Sequence, residues 1–277
     1  MKNTHYHFLI ALFAIIVVSC TKDKQIEEPI PTNEFIEIPD IYFEKALILN
    51  GFDSDGVINH KILKTDAEKV ERLNIISSNI ADVTGIEGFI NLKRLHADAN
   101  VIETIDLSKN ILLDTISLSS NKLTLINGLA KVKNLKWLSL SFNYFTEFTL
   151  ENSSINNLLM SNNDLTIFDS SKAPKLKSAL LNLNKIENLD FSNNPLLETL
   201  IFSANKIKTI NLDSNVNLEY IYCSSNLLTD FDVSKLTKLV DLRIDRNPTL
   251  TCIKVAAGQN IPTLKLSSYQ QAKVDCN

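Results

Sequence analysis

The chain has 277 residues, 44% of them hydrophobic, which suffices for one large domain or an array of repeats around a packed core. Its 28 basic and 32 acidic residues leave a net charge of -4, with no concentrated Lys/Arg block of the kind that neutralises phosphates, so nucleic acid is disfavoured as a partner. Only His60 and His96 lie beyond the N-terminal segment, and no glycine-rich phosphate loop occurs, so converging catalytic groups are not expected and the chain is read as a non-enzyme without cofactor or metal.

The chain opens with "MKNTHYHFLIALFAIIVVSC", in which Lys2 precedes an unbroken apolar run from Phe8 to Val18. That run is too short to span a bilayer and reads as a secretory leader over residues 1–19. The leader's end, Val17-Val18-Ser19-Cys20, resembles the bacterial lipobox, in which a small residue precedes a cysteine that is acylated and becomes the mature N-terminus. The resemblance implies a lipid on Cys20 and attachment to a membrane. Thr21 stands where an inner-membrane retention aspartate is found in related lipoproteins, which points to the outer membrane. The charged "KDK" of Lys22 to Lys24 looks like part of a surface-export signal, with a plain solvated tether as the other reading. Alternating charges, Pro29 and Pro31 make residues 20–37 a flexible spacer.

Residues 38–69 form an N-terminal cap in this reading. Asp40 to Leu49 has helical apolar spacing and Gly51 supplies a stop. "DSDG" at Asp53 to Gly56 invites comparison with a calcium loop, but Gly56 comes too early for the EF-hand and no glutamate closes it, so it is read as a turn.

From Val70 onward the chain repeats. Val70, Leu92, Leu113, Leu135, Ile155, Leu176, Leu197, Leu218 and Leu239 recur at intervals of 20 to 22 residues, with further apolar residues three and five places on. Eight places on stands asparagine: Asn100, Asn121, Asn143, Asn163, Asn184, Asn205, Asn226 and Asn247, with Ser78 in that slot of the first unit. A single coil of this length cannot bury enough apolar surface to offset its own ordering, so stability must come from stacked neighbours. The asparagines are assigned to the turn after each strand, where an amide can both donate and accept. Pairs such as Ile105/Leu107, Leu189/Phe191, Ile210/Leu212 and Phe231/Val233 alternate on the opposite side, leaving no room for a crossover helix.

The pattern LxxLxLxxNxL over residues 70–250, about nine units, resembles the leucine-rich repeat, most closely the short repeats of bacterial internalin-like surface proteins. The resemblance implies a mainly β solenoid of the α/β class, right-handed, with a parallel sheet on its concave face. Cys252 and Cys276 bracket a segment, 251–277, that resembles the C-terminal caps of secreted repeat proteins, and in an oxidising compartment they are expected to pair. Cys223 falls in the column of Leu181 and Phe202 and is expected to face inward.

Strand alternation then exposes the residues between the leucines. On the middle coils these include Trp137, Leu159, Leu180, Ile201, Tyr220 and Tyr222, with Phe142 and Leu183 at the edge, and a contiguous apolar group of this kind is characteristic of an interaction site. The resemblance implies a protein or glycan partner docked there, in adhesion or recognition. Self-association within the cell envelope is the alternative.

Overall fold

The computed structural model describes residues 34–276. The leader, Cys20 and most of the spacer therefore lie outside the described residues.

The N-terminal cap is built around the helix Ile41–Leu49. Asp40 starts it: one carboxylate oxygen accepts the backbone N–H groups of Tyr42 and Phe43 at 2.8 and 3.2 Å, meeting two donors that a helix leaves open at its first turn. The other oxygen accepts from Ala81 and Asp82, tying the cap to the first coil. Phe43, Ala46 and Leu47 are buried, and the Phe43 ring lies 6.2 Å from that of Phe89. Gly51, at φ +71, ends the helix. Phe35–Glu37, read as the end of the spacer, is a strand paired antiparallel with Lys61–Leu63. Charge and proline content hid it, since a three-residue strand takes its stability from its partner.

Ten parallel strands follow, from Arg72–Asn74 to Thr263–Lys265, stacked in chain order in one sheet. Their central residues are in register: Leu73, Leu95, Ile116, Leu138, Leu158, Ala179, Leu200, Ile221 and Leu242 are all buried, one above another. The tenth strand lies inside the segment assigned to the C-terminal cap, so the sheet outlasts the recognisable repeat by one rung. Cys223 is fully buried in the inner column, where burial pushes its thiol well above the usual value.

Three residues beyond each of the first nine strands stands a residue with φ between +53 and +58, as at Ala99, Ser120, Phe142, Leu183 and Ala204. That left-handed step turns the backbone so that the next residue, the repeat asparagine, points into the core. Asn184 is representative: its Nδ2 donates to the carbonyls of Met160 and Leu181 at 3.0 Å each, and its Oδ1 accepts the N–H of Leu165 at 3.1 Å. The same three bonds, to one's own coil and the preceding one, recur at Asn121, Asn143, Asn163, Asn205, Asn226 and Asn247. Asn100 also accepts from Ser78 and Ile80, serving the first coil that lacks its own asparagine.

The back of each coil is extended, with short strand pairs such as Thr104–Asp106 with Leu125–Asn127 and Glu147–Thr149 with Ile167–Asp169. Two coils also carry single 3-10 turns, Ile86–Gly88 and Leu129–Lys131, each entered through a glycine at positive φ. Gly128 admits no side chain, because a Cβ there would stand 2.3 Å from the Ser108 nitrogen. Here runs a second buried ladder: Asn110, Asn152, Asn194 and Asn215 each donate to two turn carbonyls of the coil before.

At the C-terminal end glutamines take over both ladders. Gln259 donates to the carbonyls of Val233 and Leu236, and Gln270 to that of Ile244. The extra methylene reaches from a last coil that no longer keeps the repeat spacing. Cys252 and Cys276 are joined by a disulfide, pinning Cys252–Lys254 against Gln271–Lys273. No helix among the described residues is long and apolar enough to cross a membrane.

Candidate binding surface

The outward residues of the sheet form columns whose neighbours are fixed by strand register. Leu159, Leu180, Ile201 and Tyr222 are paired in succession across four adjacent strands, giving an unbroken apolar row about 14 Å long at the usual strand spacing. Trp137 lies one strand beyond Leu159 and is 39% exposed, as is Tyr220 on the other side. The three aliphatic residues are half-buried, because their neighbours along the row cover their flanks.

Phe142 and Leu183 sit differently from the strand residues. Both occupy the left-handed position after the strand, at φ +58, and are 57% and 51% exposed. Other coils place alanine, serine or asparagine there, as at Ala99, Ser120 and Asn162, and the ninth places Arg246. A large apolar side chain at positive φ is strained and returns nothing to the core, so its benefit to the molecule lies outside folding.

Tyr222 is partly engaged already. Its hydroxyl donates to Asp241 at 2.8 Å, and the Arg243 guanidinium lies 4.3 Å over its ring while also pairing with Asp241 at 3.0 Å. Burial works to raise the Asp241 carboxyl, but hydrogen bonds from Arg243 and Tyr222 outweigh it and hold the group below its usual range. Donating its proton to the Asp241 carboxylate pushes the Tyr222 hydroxyl up. Tyr222 thus ends the apolar row with one ring face closed, whereas Trp137 and Tyr220 have no such partner.

Charge distribution frames the surface. Over six successive strands, Thr115–Ser117 to Tyr220–Tyr222, no outward residue of the sheet or of the turn after it is charged. Beside the apolar row runs a column of small polar residues, Ser119, Ser141, Ser161, Asn182, Ser203 and Ser224, in which Ser161 bonds to Asn182, while Ser119 bonds across to Ser139 in line with Leu159. Charges resume at the edges: Arg94, His96 and Asp98 at one end, Asp241, Arg243 and Asp245 at the other, with the Lys177–Glu198 and Lys185–Asp164 pairs along the two sides. The bare sequence names the apolar residues, but this charge-free band becomes visible only when coils are laid side by side.

A cleft lies elsewhere, on the back, where the ladder is interrupted between Leu125–Asn127 and Glu147–Thr149. It holds about 360 Å³ and is lined by Leu125, Phe145, Phe148 and Ile167 among others. No group of three His, Cys, Asp or Glu side chains suited to a metal occurs among the described residues.

No family model matches the chain, and comparison with curated proteins finds no match. Solved structures do match. The functional domain of InlJ from Listeria monocytogenes, which includes a cysteine ladder, is 24% identical over 87% of this chain and 62% of its own, with a TM-score of 0.63. Internalin C2 from the same organism is 20% identical over 75% of this chain and 94% of its own, with a TM-score of 0.60. A chain from the octameric complex of latrophilin 3, Unc5D and the leucine-rich repeat part of FLRT2 is 20% identical over 60% of this chain and 61% of its own, with a TM-score of 0.50. This chain thus spans less than two thirds of the InlJ domain. These likenesses establish the fold as a leucine-rich repeat solenoid.

Proposed function

We propose that the protein is a non-catalytic recognition protein, anchored to the outer membrane by lipid on Cys20 and displayed at the cell surface, that docks a protein partner against the charge-free band of its sheet. One observation carries this reading: an apolar row with exposed aromatics, cleared of charge over six strands and bordered by charge on every side. Depletion of charge at the centre, enrichment in aromatics and a polar rim are the composition of protein interfaces. A run of leucine and isoleucine favours a protein over a glycan, whose rings stack on aromatic faces rather than aliphatic rows. The neighbour found in a complex with latrophilin 3 and Unc5D supports the use of such a scaffold for partner binding.

The test pairs Trp137→Ala with Leu180→Ser, chosen over Tyr222 because removing that hydroxyl would also strip a partner from Asp241. Capture from host-type and envelope extracts identifies the partner, and its affinity for wild type and double variant is then measured. The expected result is a loss of at least about tenfold, on the order of 1.4 kcal/mol, with an unchanged melting temperature. Equal affinity in the variant would remove the band from the binding site. Concentration-dependent sedimentation of the wild type alone, abolished in the variant, would assign the band to self-association instead. Lipid attachment is checked by Cys20→Ser, which should release the protein from the membrane fraction.

A further inference from the structure

The loop Asp53 to Gly56 forms a turn, yet the groups packed against it are unusual. Glu44, on the helix Ile41–Leu49, is fully buried, and Asp53 is 4% exposed. One oxygen of Glu44 accepts the backbone N–H groups of Asn59 and Lys61, at 2.7 and 3.4 Å, which holds the carboxylate against the loop. Its other oxygen, Oε2, has no hydrogen-bond partner. Neither does Asp53 Oδ2 or Asn59 Oδ1, and all three atoms are withdrawn from solvent.

Buried acceptors of this kind must be met by protons, water or a cation. Two buried carboxylates, Glu44 and Asp53, each with one unpartnered oxygen, share this corner with Asp55 and Asp66, a crowd of negative charge that calls for a counterion. Asp66 adds to that negative charge, and its own oxygens are taken by the Ser54 N–H and by Lys69, so Lys69 is engaged there rather than at Asp53. A proton shared between Glu44 and Asp53 leaves the amide oxygen of Asn59 unmet, because the amide's Nδ2 is already committed to Asp55. Two carboxylate oxygens and one amide oxygen left open in this way are the donor types a hard cation takes.

We propose that Glu44, Asp53 and Asn59 form a calcium site that fastens the capping helix to the loop leading into the strand Lys61–Leu63. The donor chemistry selects the ion. Two carboxylates and an amide oxygen, with no nitrogen or sulfur donor among them, suit calcium, which takes carboxylate, amide, backbone carbonyl and water oxygens together, rather than zinc. The loop does not follow EF-hand spacing. Its missing acidic ligand is supplied from outside the loop, by Glu44, fifteen residues before Asn59.

The experiment uses the full chain, stripped with EDTA and titrated with calcium chloride, followed by calorimetry and thermal unfolding. One calcium per chain should bind, and about 1 mM calcium should raise the melting temperature by several degrees while equal magnesium does not. Asp53→Asn should abolish both effects, and Glu44→Gln should do the same while keeping its bond to the Asn59 N–H. Should Glu44→Gln fail to fold, the Asp53→Asn isotherm decides alone. Superimposable melting curves in calcium and EDTA, with no heat of binding, would overturn the proposal and leave these oxygens to protons or water. A calcium response that survives unchanged in Asp53→Asn would overturn it equally.

Discussion

Asn184 and Leu183 are adjacent, and they make opposite predictions. Asn184 closes three hydrogen bonds inside the core, so Asn184→Ala leaves carbonyls of two coils unmet and should cost about 2 to 3 kcal/mol, read as a lowered denaturation midpoint with unchanged slope. Asn215→Ala should cost less, since Asn215 makes two such bonds and its Oδ1 has no partner. Leu183→Asn should act in the other direction. Asparagine tolerates φ +58, as Asn162 shows one coil earlier, so the variant should gain roughly 0.5 to 1 kcal/mol while losing affinity for the partner. A variant more stable and less adhesive would mark Leu183 as kept for binding. The front asparagines were readable because they recur at every coil from Asn100. The back ladder was not read as one, although its members end the visible "SKN", "SNN" and "DSN" turns, because 3-10 turns and Ala173 break its period.

The two caps respond to different solution conditions. In the calcium-free protein, Asp53 holds its carboxyl near 6 in the fold against an ordinary 3.8, so the folded state binds the proton more tightly than the unfolded chain does. Stability from this group therefore rises as pH falls from about 7 to 5, with Glu44, Asp55 and Asp66 setting the repulsion that is relieved. Asp40, Asp66, Asp241 and Asp245 are held low and act in reverse: their contribution is present above the ordinary carboxylate range and is lost as pH falls through it. Thermal unfolding in EDTA should accordingly peak near pH 5, and Asp53→Asn should flatten the rise on its neutral side. The C-terminal cap depends on redox state. Reducing the disulfide, which spans 24 residues, removes a constraint worth about 3 to 4 kcal/mol in the chain-entropy picture. Hydrogen exchange should then quicken across Cys252–Lys254 and Gln271–Lys273 while the middle strands stay protected.

Across the whole solenoid, stability comes from stacking and binding from what stacking leaves outward. Each coil touches mainly its neighbours, so Gly128→Ala, which drives a Cβ against Ser108, should open the array locally between its two halves rather than loosen every coil. Proteolysis of that variant should begin near residue 128. The outer band depends on register alone: slipping one strand by a residue would bury Leu180 and expose Ala179, breaking the row.

Spacing in the chain was enough to predict a mainly β repeat solenoid, inward leucines and asparagines, an inward Cys223 and an outward Trp137, because stacking forces each coil to repeat the chemistry of the last; the C-terminal cysteine pair came instead from resemblance to the caps of secreted repeat proteins. Spacing could not reveal the strand Phe35–Glu37, the tenth rung, the Arg243 cover on Tyr222, or the orphaned oxygens of Glu44, Asp53 and Asn59. Those arise where the period fails, at the two ends and in contacts between coils. There, partners are chosen by where the backbone happens to bring them rather than by their distance along the chain.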